Sequence, residues 1–181
     1  MTPRIPALAD AAAPAPSREI LDATRRAIGM VPNLHRTLAH APAALLGYTQ
    51  LAKALAEGDL EPRLREHIAV GTAALNGCGY CASAHTAIGK GAGIAGDELA
   101  RNLHGKSDDP KVEAVLDFAR EYVESRGAVA DAAIERLVEA GFDDAAIVEI
   151  AAHVGLNFFT NAFNNLARTV IDFPVVTLPR A

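Results

Sequence analysis

The sequence predicts an all-α protein, and three observations carry that prediction. Apolar residues recur at helical spacing along most of the chain, no segment alternates apolar and polar residues between turn signals, and Pro, Asp and Gly punctuate the apolar stretches where helices start and stop. Half of the 181 residues are hydrophobic but only 5% are aromatic. The core is therefore expected to come from small side chains in closely packed helices.

The elements follow in order. Residues 1–16 are rich in Pro and Ala and read as an extended arm, with one helical domain over residues 17–181. Ser17 reads as an N-cap, and Ile20, Leu21, Thr24 and Ile28 share a face up to Gly29. Pro32 opens a short helix from Asn33 to Ala39. Pro42 suits a first helical turn, and Leu45, Leu46, Leu51 and Leu55 carry that helix toward Gly58. Pro62 starts a helix through Leu64, Ile68 and Leu75 that stops at Asn76-Gly77. Cys78 begins the next, ending near Gly91 or Gly93. A short helix covers about Ala95 to Leu103, and a polar loop follows over 104–109. Pro110 opens an amphipathic helix (Val112, Val115, Leu116, Ala119, Val123) that Gly127 ends. Asp131 reads as the cap of a short helix stopping at Gly141, and Asp143 as the cap of the longest helix, reaching about Arg168. The apolar tail Ile171 to Pro179 reads as extended and suited to a neighbouring subunit.

Composition excludes several classes. The formal charge is −5 and no Lys/Arg-rich run occurs, so the basic stripe that displaces nucleic-acid counterions is missing. No unbroken apolar run of membrane-spanning length occurs. Met1 to Ser17 is interrupted by four prolines and lacks the apolar stretch of a secretory signal. The expectation is a cytoplasmic protein without membrane or nucleic-acid partners. The small-residue helices and the tail lead to the expectation of a homo-oligomer.

A faint internal repeat is present. Glu66, Cys78, Cys81 and His85 have the same relative spacing as Glu149, Asn161, Asn164 and Arg168. Read as a duplication, it makes two related helical hairpins, of which only the first carries chemistry.

That chemistry centres on the two cysteines. A Cys-x-x-Cys pair closes almost no loop, so its value to stability is small and its value is chemical. Cys78, Cys81 and His85 stand at i, i+3 and i+7, on one helical face. The cysteines lie about 5–6 Å apart at Cα, a span that a disulfide bridges. One sulfur can be oxidised to a sulfenic acid that the other traps. Which one attacks is open from the residues: Cys78 sits at a helix N-terminus, where orphan N–H groups favour a thiolate, and Cys81 has His85 one turn away. A positioned base that takes part in proton transfer tilts the reading to Cys81. Glu66 lies about 15 Å before the turn and His85 about 10 Å after it at 1.5 Å per residue, so an antiparallel hairpin brings carboxylate and imidazole within reach. A carboxylate behind an imidazole fixes its tautomer and strengthens it as a base.

The run from Glu66 to His85 resembles the signature of the alkylhydroperoxidase D-like (AhpD-like), or carboxymuconolactone decarboxylase, superfamily: a Glu, twelve positions to Cys-x-x-Cys, then His four beyond the second Cys. The segments "VPNLHRTLAHAP" and "FNNLARTVIDFP" resemble its peroxidase-related members. The resemblance implies a multihelical bundle, usually oligomeric, and a peroxidase without a bound cofactor. Cys81 would be peroxidatic and Cys78 resolving, with Glu66 and His85 as the proton relay. The partners it implies are a hydroperoxide substrate and a dithiol or lipoyl-type protein reductant. Tyr80 stands where relatives can carry a histidine, and reads either as a pocket residue offering its hydroxyl to a peroxide oxygen or as packing.

Three other readings compete. The same pair can serve as a general disulfide oxidoreductase. Cys78, Cys81 and His85 can supply three zinc ligands, although structural zinc sites draw ligands from separate segments and no other cysteine exists. The fold can also act as a non-enzymatic oligomeric scaffold with inert thiols. On the longest helix His153, Asn157, Asn161 and Asn164 form a polar stripe, expected to be buried and hydrogen-bonded or to line a pocket opposite the cysteines. Phe158, Phe159 and Phe163 read as core or interface, and His35 and His40 as structural.

Overall fold

The computed structural model describes residues 2–179, and among these every regular element is helical. A 3-10 turn, Asp10–Ala12, precedes nine helices: α1 Ala15–Ile28, α2 Asn33–Leu38, α3 Pro42–Ala56, α4 Pro62–Leu75, α5 Gly79–Gly91, α6 Gly96–Asn102, α7 Pro110–Glu124, α8 Asp131–Glu139 and α9 Asp144–Ala167. The prolines at 42, 62 and 110 open their helices as expected, because a first turn needs no N–H from that residue. Asp143 caps α9 by accepting from Ala146 N.

Helix α4 is the centre of the assembly, packed against α5, α6, α7 and α9. Its residues His67 to Ala73 are buried on all sides, which small side chains permit. A Cβ at Gly71 would stand 2.5 Å from Leu116 Cδ2, so this glycine sets how closely α4 and α7 approach. One core, Ile68, Val115, Phe118, Leu137, Ile150 and Val154 among others, joins α4, α7, α8 and α9. A second, including Leu21, Leu34, Leu38 and Leu45, joins α1, α2 and α3 to the helix carrying the cysteines.

The structure differs from the sequence reading at four points, and it also shows what the tail meets on its own chain. Helix α1 starts before Ser17, with Pro14 as its N-cap, and the buried Ser17 hydroxyl donates instead to Ala39 O at 2.9 Å. Prolines at 14 and 16 suit the entry and first turn, so they do not delay the helix. Asp131 lies inside the first turn of α8, where its charge still favours the helix N-terminus, and Ala130 takes the cap position. The arm is strapped down: Arg4 N donates to Ala167 O at 2.8 Å, Leu8 packs on the core, and Asp10 pairs with both Arg25 and Arg36. The tail packs on its own chain. Ile171, Phe173 and Leu178 join the cysteine-bearing core, Asp172 accepts from Asn33 N at 2.8 Å, and Val176 N donates to Ser83 Oγ at 3.0 Å. Finally, Glu149, Asn161 and Asn164 lie along the single helix α9 and Arg168 is its C-cap, so the spacing match marks no second hairpin.

By length and composition α9 is apolar enough to cross a membrane. Here it packs against α3, α4, α5 and α7 and buries His153, Asn157, Asn161 and Asn164, while Val148, Phe158, Phe159 and Leu166 stay exposed.

Candidate active site

A tight reversal between α4 and α5 builds the site. Gly77 adopts φ +62, its N–H bonds Ala74 O at 3.1 Å, and Cys78 N–H bonds Ala73 O at 2.9 Å. These are the two bonds of a Schellman ending, with glycine at the left-handed position. The reversal delivers Cys78 directly to the N-cap of α5, where its sulfur accepts from Cys81 N at 3.2 Å. Both cysteines are free thiols, 0% and 3% exposed.

The same reversal folds α5 back along α4. Glu66 Oε2 lies 2.9 Å from His85 Nδ1, with both side chains partly buried. The carboxylate–imidazole contact expected from residue counting is therefore formed. Bonded at Nδ1, the imidazole keeps its other nitrogen available.

The two sulfurs are electrostatically unlike. The hydrogen bond from Cys78 is the main influence lowering the Cys81 thiol to about 7; burial opposes it, and the His85 charge and the Asn164 and Asn161 amides reinforce it. Cys78 is pushed far up, by its bond to Cys81 first, then by burial and the charge of Cys81. Burial pulls His85 down, but the Glu66 charge and hydrogen bond, with the Cys81 charge, hold it above its ordinary value. The dithiol is thus biased toward a Cys81 thiolate that accepts from a Cys78 thiol, with an imidazolium–carboxylate pair alongside.

Tyr80 is buried. Its hydroxyl accepts from Leu34 N at 3.1 Å, and its ring meets Phe173 edge-on at 5.9 Å. It ties α5 to α2 and the tail. His67 is likewise buried, with Nδ1 2.6 Å from Asn102 Oδ1. His40 Nε2 contacts Pro6 O at 2.9 Å and holds the arm. Phe163 packs against the cysteine-bearing core, while Phe158 and Phe159 remain exposed on α9.

Two neighbours of the site escaped the sequence reading. Asn76, the C-cap of α4, donates to Asn161 Oδ1 at 3.0 Å. Tyr48 on α3 meets His35 edge-on at 5.4 Å and Phe159 at 6.5 Å. Burial, then the charges of Cys81 and Glu66, push its hydroxyl up to about 12. No local pattern in the sequence marks either residue, because both act across helices. The polar stripe on α9 divides: Asn157 donates back to His153 O at 2.8 Å, whereas Asn164 Nδ2 donates to Cys81 Sγ at 3.2 Å.

Among the described residues no group of three or more His, Cys, Asp or Glu is placed to hold a metal ion. A cleft of about 870 Å³, lined among others by Asp59, Arg63, His67, Lys111 and Glu149, touches neither sulfur.

The carboxymuconolactone decarboxylase family model matches residues 42–125, a span that holds Glu66, both cysteines and His85. The chain is similar to an alkylhydroperoxidase AhpD core, an uncharacterized peroxidase-related protein from Ralstonia eutropha JMP134. The TM-score is 0.82 at 32% identity, covering 94% of this chain and 92% of that one. A peroxidase-related protein from Silicibacter sp. TM1040 matches with TM-score 0.79 and 26% identity over 94% of each chain. The debrominase Bmp8 shares the fold at TM-score 0.79 and 22% identity, over 95% of this chain and 94% of that one. No curated protein matches the chain.

Proposed function

This chain belongs to the alkylhydroperoxidase D-like, or carboxymuconolactone decarboxylase, superfamily, and from its site we propose that it is a thiol peroxidase that reduces a small hydroperoxide at Cys81. The observation that carries this reading is the pairing of a thiol lowered to about 7 with an imidazole that Glu66 grips at 2.9 Å. A thiolate is the nucleophile, and a thiol ionising near neutrality combines population with reactivity.

The Cys81 thiolate attacks one peroxide oxygen, an S–O bond forms and the O–O bond breaks. The leaving alkoxide takes a proton from His85, giving an alcohol and a sulfenic acid on Cys81. The Cys78 thiol then attacks the sulfenic sulfur, a disulfide forms and water leaves. An external dithiol returns the pair to two thiols and leaves as its own disulfide. Glu66 holds the imidazole and its charge through the proton traffic.

Burial discriminates against the general disulfide oxidoreductase. At 0% and 3% exposure the sulfurs admit a small oxidant far more readily than a folded protein's disulfide. For the same reason the fitting reductant is a slender dithiol, such as a lipoyl group on an extended arm.

The test is a stoichiometric titration of the reduced protein with an organic hydroperoxide, counting free thiols. The expected result is loss of both thiols per peroxide, with one alcohol formed. Thiols that survive hydroperoxide yet exchange with small disulfides would overturn the peroxidase reading.

A further inference from the structure

The asparagines of α9 do more than fill the core. Asn76 Nδ2 donates to Thr72 O at 3.0 Å. A backbone carbonyl only accepts, so Asn76 must present its amino group there. The second proton of that group goes to Asn161 Oδ1 at 3.0 Å. Asn161 is thereby oriented, with its oxygen toward Asn76 and its Nδ2 turned away. That Nδ2 is buried and has no hydrogen-bond partner among the described residues. One turn along the helix, Asn164 donates from Nδ2 to Cys81 Sγ at 3.2 Å. Both side chains are buried, Asn161 completely.

A buried donor without an acceptor is destabilising, and native proteins keep few of them. Here the donor comes from the same helix face that already bonds the sulfur. We propose that Asn161 and Asn164 form a two-amide cradle that stabilises negative charge on the Cys81 sulfur, and that Asn76 is the positioning residue that keeps Asn161 turned to donate. The proposal rests on the assignment of Cys81 as the reacting sulfur. Both amides bias Cys81 toward its thiolate, after Cys78, burial and His85 in size. Unlike His85, the amides have no proton to lose, so their support is constant while the imidazole cycles.

The experiment is the pH dependence of iodoacetamide labelling at Cys81 in the reduced full chain, read by peptide mass spectrometry. Asn164→Ala is expected to raise the labelling midpoint by about one pH unit, so that about tenfold less thiolate is present on the acid side. Asn164→Asp keeps the volume and places a carboxylate against the sulfur, so it raises the midpoint further. It also reads whether the Asn164 side chain stands against the sulfur if the alanine variant does not fold. Asn161→Ala raises the midpoint in the same direction, and Asn76→Ala matches it without adding to it in the double variant. Unchanged midpoints in folded Asn164→Asp and Asn161→Ala overturn the cradle. Additive effects of Asn76→Ala and Asn161→Ala overturn the positioning role. None of these readouts uses peroxide. A wild-type protein inert to hydroperoxides, with midpoints that still shift, would remove the peroxidase reading and leave the cradle standing.

Discussion

A Cys81→Ser variant is expected to consume no hydroperoxide above the uncatalysed rate, while Cys78→Ser consumes one equivalent per chain and stops. The asymmetry follows from the two sulfurs' environments. Cys81 is lowered to about 7, so near neutrality about half of it is thiolate. A serine hydroxyl at that position neither ionises near neutrality nor attacks an O–O bond. At position 78 a serine still offers an O–H to the Cys81 sulfur, the largest influence on that thiol. The first step therefore survives in Cys78→Ser. What is lost is the resolving thiol, and a Cys81 sulfenic acid accumulates that a sulfenic-acid trap captures. Stopped-flow peroxide consumption with trapping measures both outcomes. Turnover retained in Cys81→Ser would reverse or abolish the assignment.

The second large effect is expected at the relay. His85→Ala should lower the rate of peroxide reduction by about 10²–10⁴-fold, the usual contribution of a positioned acid–base group. Glu66→Gln keeps the imidazole, so its loss is smaller and its signature lies in pH. In the proposed mechanism activity requires ionised Cys81 and protonated His85. It rises with pH through about 7 as Cys81 ionises. It falls as pH climbs through the His85 value, which burial lowers but Glu66 holds above the ordinary imidazole value. Removing the Glu66 charge lets burial lower His85, so the alkaline limb moves to lower pH and the bell narrows from that side. A pH–rate profile of Glu66→Gln with an unchanged alkaline limb would exclude the relay.

Much of this architecture was legible because it is written locally. Pro62 and Pro110 mark helix starts through chemistry within one turn, and Asp143 caps α9 by a bond three residues away. Gly77 marks the reversal through its own backbone conformation. Glu66 and His85 could be brought together by counting residues on two helices of known rise. The remainder depended on contacts distant in sequence. Asn164 reaches Cys81 across 83 positions, and Val176 reaches Ser83 across 93. Nothing near those residues distinguishes a thiolate donor from a core amide, or marks Ser83 as a partner of the tail. Tyr80 shows the same limit. Its place between the cysteines left pocket and packing open, and the partner that donates to its hydroxyl, Leu34 N, lies on α2. The Glu149 to Arg168 match misled for another reason. Its Glu149 carboxylate accepts from Asp59 N and Leu60 N ahead of α4, a structural role that spacing alone cannot separate from a relay.

The most direct test of the central claim, that Cys81 is the reactive thiolate and Cys78 its hydrogen-bonding partner, is site-resolved labelling. The reduced wild-type protein is pulsed with iodoacetamide across a pH series, and each cysteine peptide is quantified by mass spectrometry. Cys81 is expected to be labelled first, with a midpoint near pH 7 instead of the ordinary thiol value of 9.0, and Cys78 to stay unlabelled through the same range. Labelling of Cys78 first, or of both cysteines with ordinary thiol midpoints, would contradict it.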